Sequence, residues 1–143
     1  MNWFRCILLI ILLFPLAKMA AAGEDPLPVA FEKSYQMYRA KNYKQALTFC
    51  TRTIEKNPDQ QGACLIITGF VIKDSVSYEE SEKYFLQAST ALLNSKDAKL
   101  LSKIHFGLGT IYFNIARYQE SIRQFLLLEK HAIRHQFNSS SRF

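Results

Sequence analysis

The 143-residue chain predicts an all-α fold, an array of three antiparallel helix pairs, and three observations carry that expectation. A short pattern returns as Tyr43-x-x-Ala46, Tyr78-x-x-Ser81 and Tyr118-x-x-Ser121, at separations of 35 and then 40 residues. Each copy stands between two stretches whose apolar residues recur at three-and-four spacing, the period of an amphipathic helix. A pair of such helices cannot bury its apolar stripe alone, so pairs must stack, and about three of them are the usual minimum.

Taken in order, residues 1–22 read as a secretory signal peptide. A basic start ending at Arg5 precedes the apolar run from Cys6 to Ala17, and Ala20, Ala21 and Ala22 supply small residues before a cut ahead of Gly23. Pro15 and Lys18 interrupt the run well short of the ~20 apolar residues a spanning helix needs. The expected location is therefore exported, periplasmic or secreted, with membrane contact only if the segment is retained as an anchor. Its removal takes Arg5 and Lys18 with it, lowering the net charge from +6 to about +4. The remaining charges are interspersed, without the dense basic stripe of a nucleic-acid binder, so no nucleic-acid partner is expected.

Residues 23–26 form a linker, and Pro28 suits the first turn of a helix because its missing N–H is not needed there. The first unit, about 27–60, places Ala30, Phe31, Ser34, Tyr35 and Tyr38 on one helix, turns at Lys41-Asn42-Tyr43, and buries Ala46, Leu47, Cys50, Thr53 and Ile54 on the next. Asn57-Pro58 ends it, since a residue before proline is pushed out of the helical region. The second unit, about 61–96, pairs Leu65, Ile66, Gly69, Phe70 and Ile72 with Ser81, Phe85, Ala88 and Leu92 across Ser75 to Ser77. The third, about 100–135, pairs Leu101, Ile104, His105, Leu108, Gly109 and Tyr112 with Ser121, Ile122, Phe125 and Leu128, and 136–143 remain as a polar tail. Asn94 to Lys99 hold the extra residues of the wider spacing, as a longer loop or an extended helix.

These residues resemble the tetratricopeptide repeat family, whose unit is a helix pair of about 34 residues. The match spans roughly residues 27–131. The family's small crossing residue is Ser34, Gly69 and Gly109; the bulky residue closing the first helix is Met37, Ile72 and Tyr112; the ring position of the second helix is Cys50, Phe85 and Phe125. Ala30, Leu65 and His105 replace the tryptophan often found early in the repeat, and the closing proline occurs only as Pro58. The resemblance implies a right-handed α-solenoid whose first helices line a concave, peptide-binding surface.

On that surface the expected partner-binding residues are Phe31, Tyr35, Tyr38 and Arg39 in the first unit. Ile66, Phe70 and Lys73 follow in the second, and Lys103, Phe106, Thr110, Phe113 and Asn114 in the third. At the nine positions that align at i, i+4 and i+7 (Phe31, Tyr35, Tyr38; Ile66, Phe70, Lys73; Phe106, Thr110, Phe113), six residues are aromatic, which predicts a continuous aromatic floor for an apolar or amphipathic protein segment. The family's carboxylate-clamp variety would need polar residues where Phe31, Tyr35, Phe70 and Gly107 stand; only Lys103 resembles part of it.

Other signals are weak. No catalytic residues, cofactor or metal site are expected: Gly107-x-Gly109 follows no strand, and His131 and His135 read as a solvated tail. Cys50 and Cys64 are expected to sit at different levels of neighbouring helices, as reduced core residues rather than a disulfide, which needs Cα atoms within about 7 Å. The chain carries no polar terminal helix, and the consecutive Leu126, Leu127 and Leu128 leave an open edge for a partner or a second copy, a possible homodimer. The leading expectation is a non-catalytic exported adaptor. The alternative is a sensory or regulatory repeat domain truncated from, or associated with, a membrane signalling protein.

Overall fold

The computed structural model describes residues 28–140, with side chains as far as Arg134. The signal peptide and linker of the sequence reading lie outside the described residues. Within them the chain is all-α, with no strand.

Helix α1 (Val29–Arg39) and α2 (Tyr43–Lys56) form the first pair, and a single 3-10 turn (Pro58–Gln60) leads to α3 (Gln61–Ser75) and α4 (Tyr78–Ala91). Helices α5 (Ala98–Asn114) and α6 (Tyr118–Ser140) complete the third. The first helices α1, α3 and α5 lie side by side, and each second helix packs against its own partner and the first helix that follows.

The turns between the helices of a pair show how the sequence sets this geometry. Lys41 and Ala116 occupy equivalent places and both have positive φ, 60° and 61°. Around Lys41, Asn42 N–H donates to Met37 O at 2.9 Å and Lys41 N–H to Tyr38 O at 2.9 Å. Around Ala116, Arg117 N–H donates to Tyr112 O at 2.8 Å and Ala116 N–H to Phe113 O at 3.2 Å. This left-handed closure satisfies the last carbonyls of α1 and α5. The middle turn is built differently. Val76, β-branched, keeps φ at −128°, and the Ser77 hydroxyl caps α4 by accepting from Glu80 N–H at 3.1 Å. The wider spacing before the third pair becomes a loop at 92–97, where Asp97 Oδ1 accepts from the Lys99 and Leu100 N–H groups and starts α5.

The Tyr-x-x-small pattern acquires a physical meaning inside each later pair. Ser81 donates its hydroxyl to Gly69 O at 2.7 Å, and Ser121 donates to Gly109 O at 2.8 Å. Phe85, fully buried, fills the junction between pairs. Its ring lies so close to Gly69 and Gly107 that an added Cβ would stand 2.9 Å and 2.3 Å from it. Gly107, read from sequence only as part of a Gly-x-Gly, is thus the closest helix approach to this ring.

Two expectations about the elements need correction. The last helix does not stop near His135 but runs to Ser140, because no glycine or proline follows Gly109 to break it. Ile122 was assigned to its inner face, yet it is exposed; the face turned to α5 carries Ser121, Gln124 and His131, with Phe125, though 38% exposed, resting on Gly109. Cys50 and Cys64 are both buried and unbridged.

Candidate functional site

The expected floor is a chain of rings, and much of it faces inward. Phe31 stacks on Tyr35 at 5.3 Å, Tyr35 on Tyr38 at 5.9 Å, and Tyr38 on both Tyr43 at 6.0 Å and Phe70 at 5.6 Å. Phe70 meets the core ring of Phe85 edge-on at 5.1 Å and lies 6.5 Å from Phe106. Offset and edge-on contacts of this kind are favoured by the ring quadrupoles.

Burial divides the expected residues. Phe31, Ile66 and Phe70 belong to the core, so a ligand cannot lie against them. The reason is the close side-by-side packing of α1, α3 and α5, which turns residues at these positions into the spaces between neighbouring helices. Tyr35 and Tyr38 are half-buried. Lys103 reaches back from α5 to α1, its Nζ 5.1 Å from the Tyr35 ring centroid, a cation–π contact across the face. Tyr38 donates its hydroxyl to Asp74 Oδ2 at 2.7 Å, and Lys73 pairs with the same carboxylate. Burial, reinforced by that carboxylate, pushes the Tyr38 phenol well above the ordinary tyrosine range. These contacts tie the first two pairs together and leave Arg39 exposed at the end of α1.

The open part of the surface is at the C-terminal side. Phe106 is 48% exposed and Phe113 61%, one on each side of Thr110, whose hydroxyl is turned to Phe106 O at 2.8 Å. Asn114 is exposed and donates to Thr110 O at 2.7 Å. Phe113 meets Tyr118 edge-on at 5.8 Å, and the apolar surface continues over Ile122, Phe125 and Leu126.

Tyr118, Ile122, Phe125 and Leu126 were not among the expected binding residues. Tyr118, which opens α6, is more than half exposed. The readable signal was the spacing of Ile122, Leu126 and Ile133, which puts three aliphatic residues on the side of α6 away from α5. Of the three consecutive leucines, Leu126 and Leu127 are exposed and Leu128 is half-buried.

Polar contacts hold this surface in place. Tyr112 donates its hydroxyl to Glu82 Oε1 at 2.7 Å, Arg117 reaches Glu82 at 3.3 Å and Glu120 at 3.0 Å, and the Arg117 guanidinium lies 4.5 Å from the Tyr112 ring centroid. Burial, with Glu82 adding to it, pushes the Tyr112 phenol up to about 12. Further along α6, His131 is not a solvated tail residue: its ring stacks on His105 at 5.2 Å and 9°. His105 Nδ1 bonds Gln124 Oε1 at 2.8 Å, while His131 Nδ1 is buried without a hydrogen-bond partner. The side chain of His135 lies outside the described residues.

Among the described residues no group of three or more potential metal ligands is gathered, and no helix is long and apolar enough to cross a membrane. What the surface offers is shape and apolar area held by rigid helices. Neither a family model, nor a curated protein, nor a solved structure matches this chain.

Proposed function

We propose that the chain is an exported, non-catalytic adaptor, a right-handed α-solenoid of the tetratricopeptide type that binds an apolar or amphipathic segment of another protein. Supporting the solenoid reading are the equivalent left-handed turns at Lys41 and Ala116 and the equivalent Ser81–Gly69 and Ser121–Gly109 bonds. Export rests on the N-terminal pattern of a basic start, an apolar run and small residues alone.

The observation that carries the binding reading is the exposed aromatic pair Phe106 and Phe113 on the rigid helix α5, continued by Tyr118. Rings held in place by packed helices lose little freedom on binding, and contiguous apolar surface of this kind marks interaction sites. The binding surface is thereby the C-terminal half of the concave face, with Lys103 and Asn114 as polar neighbours and the N-terminal rings as its support.

The test is affinity capture from an envelope fraction with wild type and a Phe106→Glu, Phe113→Glu variant. Both residues are exposed, so charge there leaves the fold intact, unlike a charge at buried Phe70. Loss of a specific protein by the variant, with unchanged circular dichroism, supports the reading. Recovery of the same proteins by both overturns it. Sizing of the chain across concentration separates a foreign partner from a second copy seated on α6.

A further inference from the structure

The first pair carries a groove that the aromatic surface does not use. It lies between α1 and α2, holds about 380 Å³ and is lined by Met37, Lys44, Gln45, Thr48, Phe49 and Arg52. That volume is within the roughly 300–1,000 Å³ of ligand pockets. Met37 and Phe49 are half-buried and form the floor, while Lys44, Gln45, Thr48 and Arg52 are exposed along the rim.

Lys44, Thr48 and Arg52 follow one another at four-residue steps, which keeps them in a row on one face of α2. The Thr48 hydroxyl donates to Lys44 O at 2.9 Å, within its own helix, so the row presents a cation at each end. Both charged residues of the lining are positive. Among the described residues neither of them stands in an ion pair. Two cations beside an apolar floor are complementary to a ligand with an apolar centre and a carboxylate on each side.

The row also sets the spacing. Eight helical residues separate Lys44 from Arg52, a rise of about 12 Å. An extended segment of another chain covers about 13 Å in four residue steps, and its side chains at i, i+2 and i+4 share one face. Carboxylates at i and i+4 therefore reach both cations while an apolar side chain at i+2 meets Met37 and Phe49. A fatty acid carries its charge at one end only and does not match a row with two charged ends.

We propose that the groove between α1 and α2 binds an extended acidic segment of another protein, with the pattern acidic-x-apolar-x-acidic. Exposed ion pairs contribute little each and are screened by salt. The affinity is accordingly modest, falls with ionic strength and depends on the central apolar residue as well as on both charges. This inference is independent of the aromatic surface, which lies on α5 and α6.

The experiment titrates the full chain against the fluorescein-labelled peptide Gly-Glu-Ser-Phe-Ser-Glu-Gly and reads fluorescence anisotropy. Saturable binding is expected at about 0.02 M salt and should weaken several-fold at about 0.3 M. Lys44→Gln or Arg52→Gln weakens it roughly threefold and the double variant roughly tenfold. Both residues are exposed, so circular dichroism stays unchanged. An Arg123→Gln, Lys130→Gln variant, with the same change in net charge, binds as wild type does. Peptides with glutamine for both glutamates, or glycine for phenylalanine, bind several-fold more weakly, and these arms decide the matter without any variant. No saturable binding, equal binding of either control peptide, or equal loss in the Arg123→Gln, Lys130→Gln variant overturns the proposal. So does binding of phosphatidylglycerol vesicles, and not of the peptide, through Lys44 and Arg52, which would assign the groove to a membrane surface.

Discussion

The Phe85 ring and the backbone of Gly107 are in such close approach that a Cβ on residue 107 would lie 2.3 Å from Phe85 Cζ. A glycine inside a helix costs about 1 kcal/mol relative to alanine, and here the cost is offset by letting α5 approach the ring. Gly107→Leu should therefore destabilise the protein by about 3 kcal/mol, through overpacking in a space already filled. Gly107→Ala should also lose stability despite its better helix propensity. Denaturant unfolding of each, alone and with Phe85→Leu, checks this: the smaller side chain at 85 should reduce the penalty, giving a coupling of at least ~0.5 kcal/mol.

Ser81 and Ser121 each donate a hydroxyl to a glycine carbonyl on the partner helix, and both side chains are buried. Alanine fits either place but deletes the bond, so each Ser→Ala change should cost about 1 kcal/mol. The first copy of the pattern already carries Ala46. Returning serine there gives no such gain, because the corresponding partner is Ser34, whose hydroxyl is engaged with its own helix. Urea titration of S81A, S121A and A46S would distinguish a specific bond from a general preference for small residues.

Lys41 and Ala116 are exposed and hold a backbone conformation that L side chains disfavour. Replacing either with glycine should stabilise the fold by ~0.5–1 kcal/mol, by removing the Cβ penalty at a helix end. Val76, at the corresponding place in the middle turn, has negative φ, so Val76→Gly should give no gain. Thermal unfolding of the three variants checks the contrast.

His131 is held below its ordinary value of 6.5, first by burial and then by the neighbouring His105, Arg134 and Lys130. The unfolded chain therefore takes up this proton at higher pH than the folded one. Stability is fully present above pH 6.5 and falls as pH drops toward the folded value, where the loss is complete. His131→Phe keeps a ring against His105 and should flatten that part of the profile. Unfolding free energy measured between pH 8 and pH 5 gives the comparison; an unchanged slope in H131F would assign the effect elsewhere.

How far the sequence was readable follows from what each signal depends on. Helix period and turn spacing are local, so the six helices and their pairing could be read from apolar recurrence and from the tyrosines that open each second helix. Burial of Phe31, Ile66 and Phe70 was not readable, because a position on the first-helix face is exposed or covered according to how closely its neighbours pack. That distance is set by remote residues such as Gly107.

The core is chemically unequal along the chain: the small side chains of Ser34 and Cys50 are buried in the first pair, an aromatic ring sits between two glycines at the next junction, and at the end Phe125 rests on Gly109 while 38% exposed. In the linear array proposed above, each unit is secured by its neighbours, and the total stability is close to a sum of unit and contact terms. The molecule consequently has a direction in its cooperativity. Amide exchange should be slowest in α3 and quickest in α6, so the helix bearing the widest apolar surface is also the one that opens with least cost to the rest.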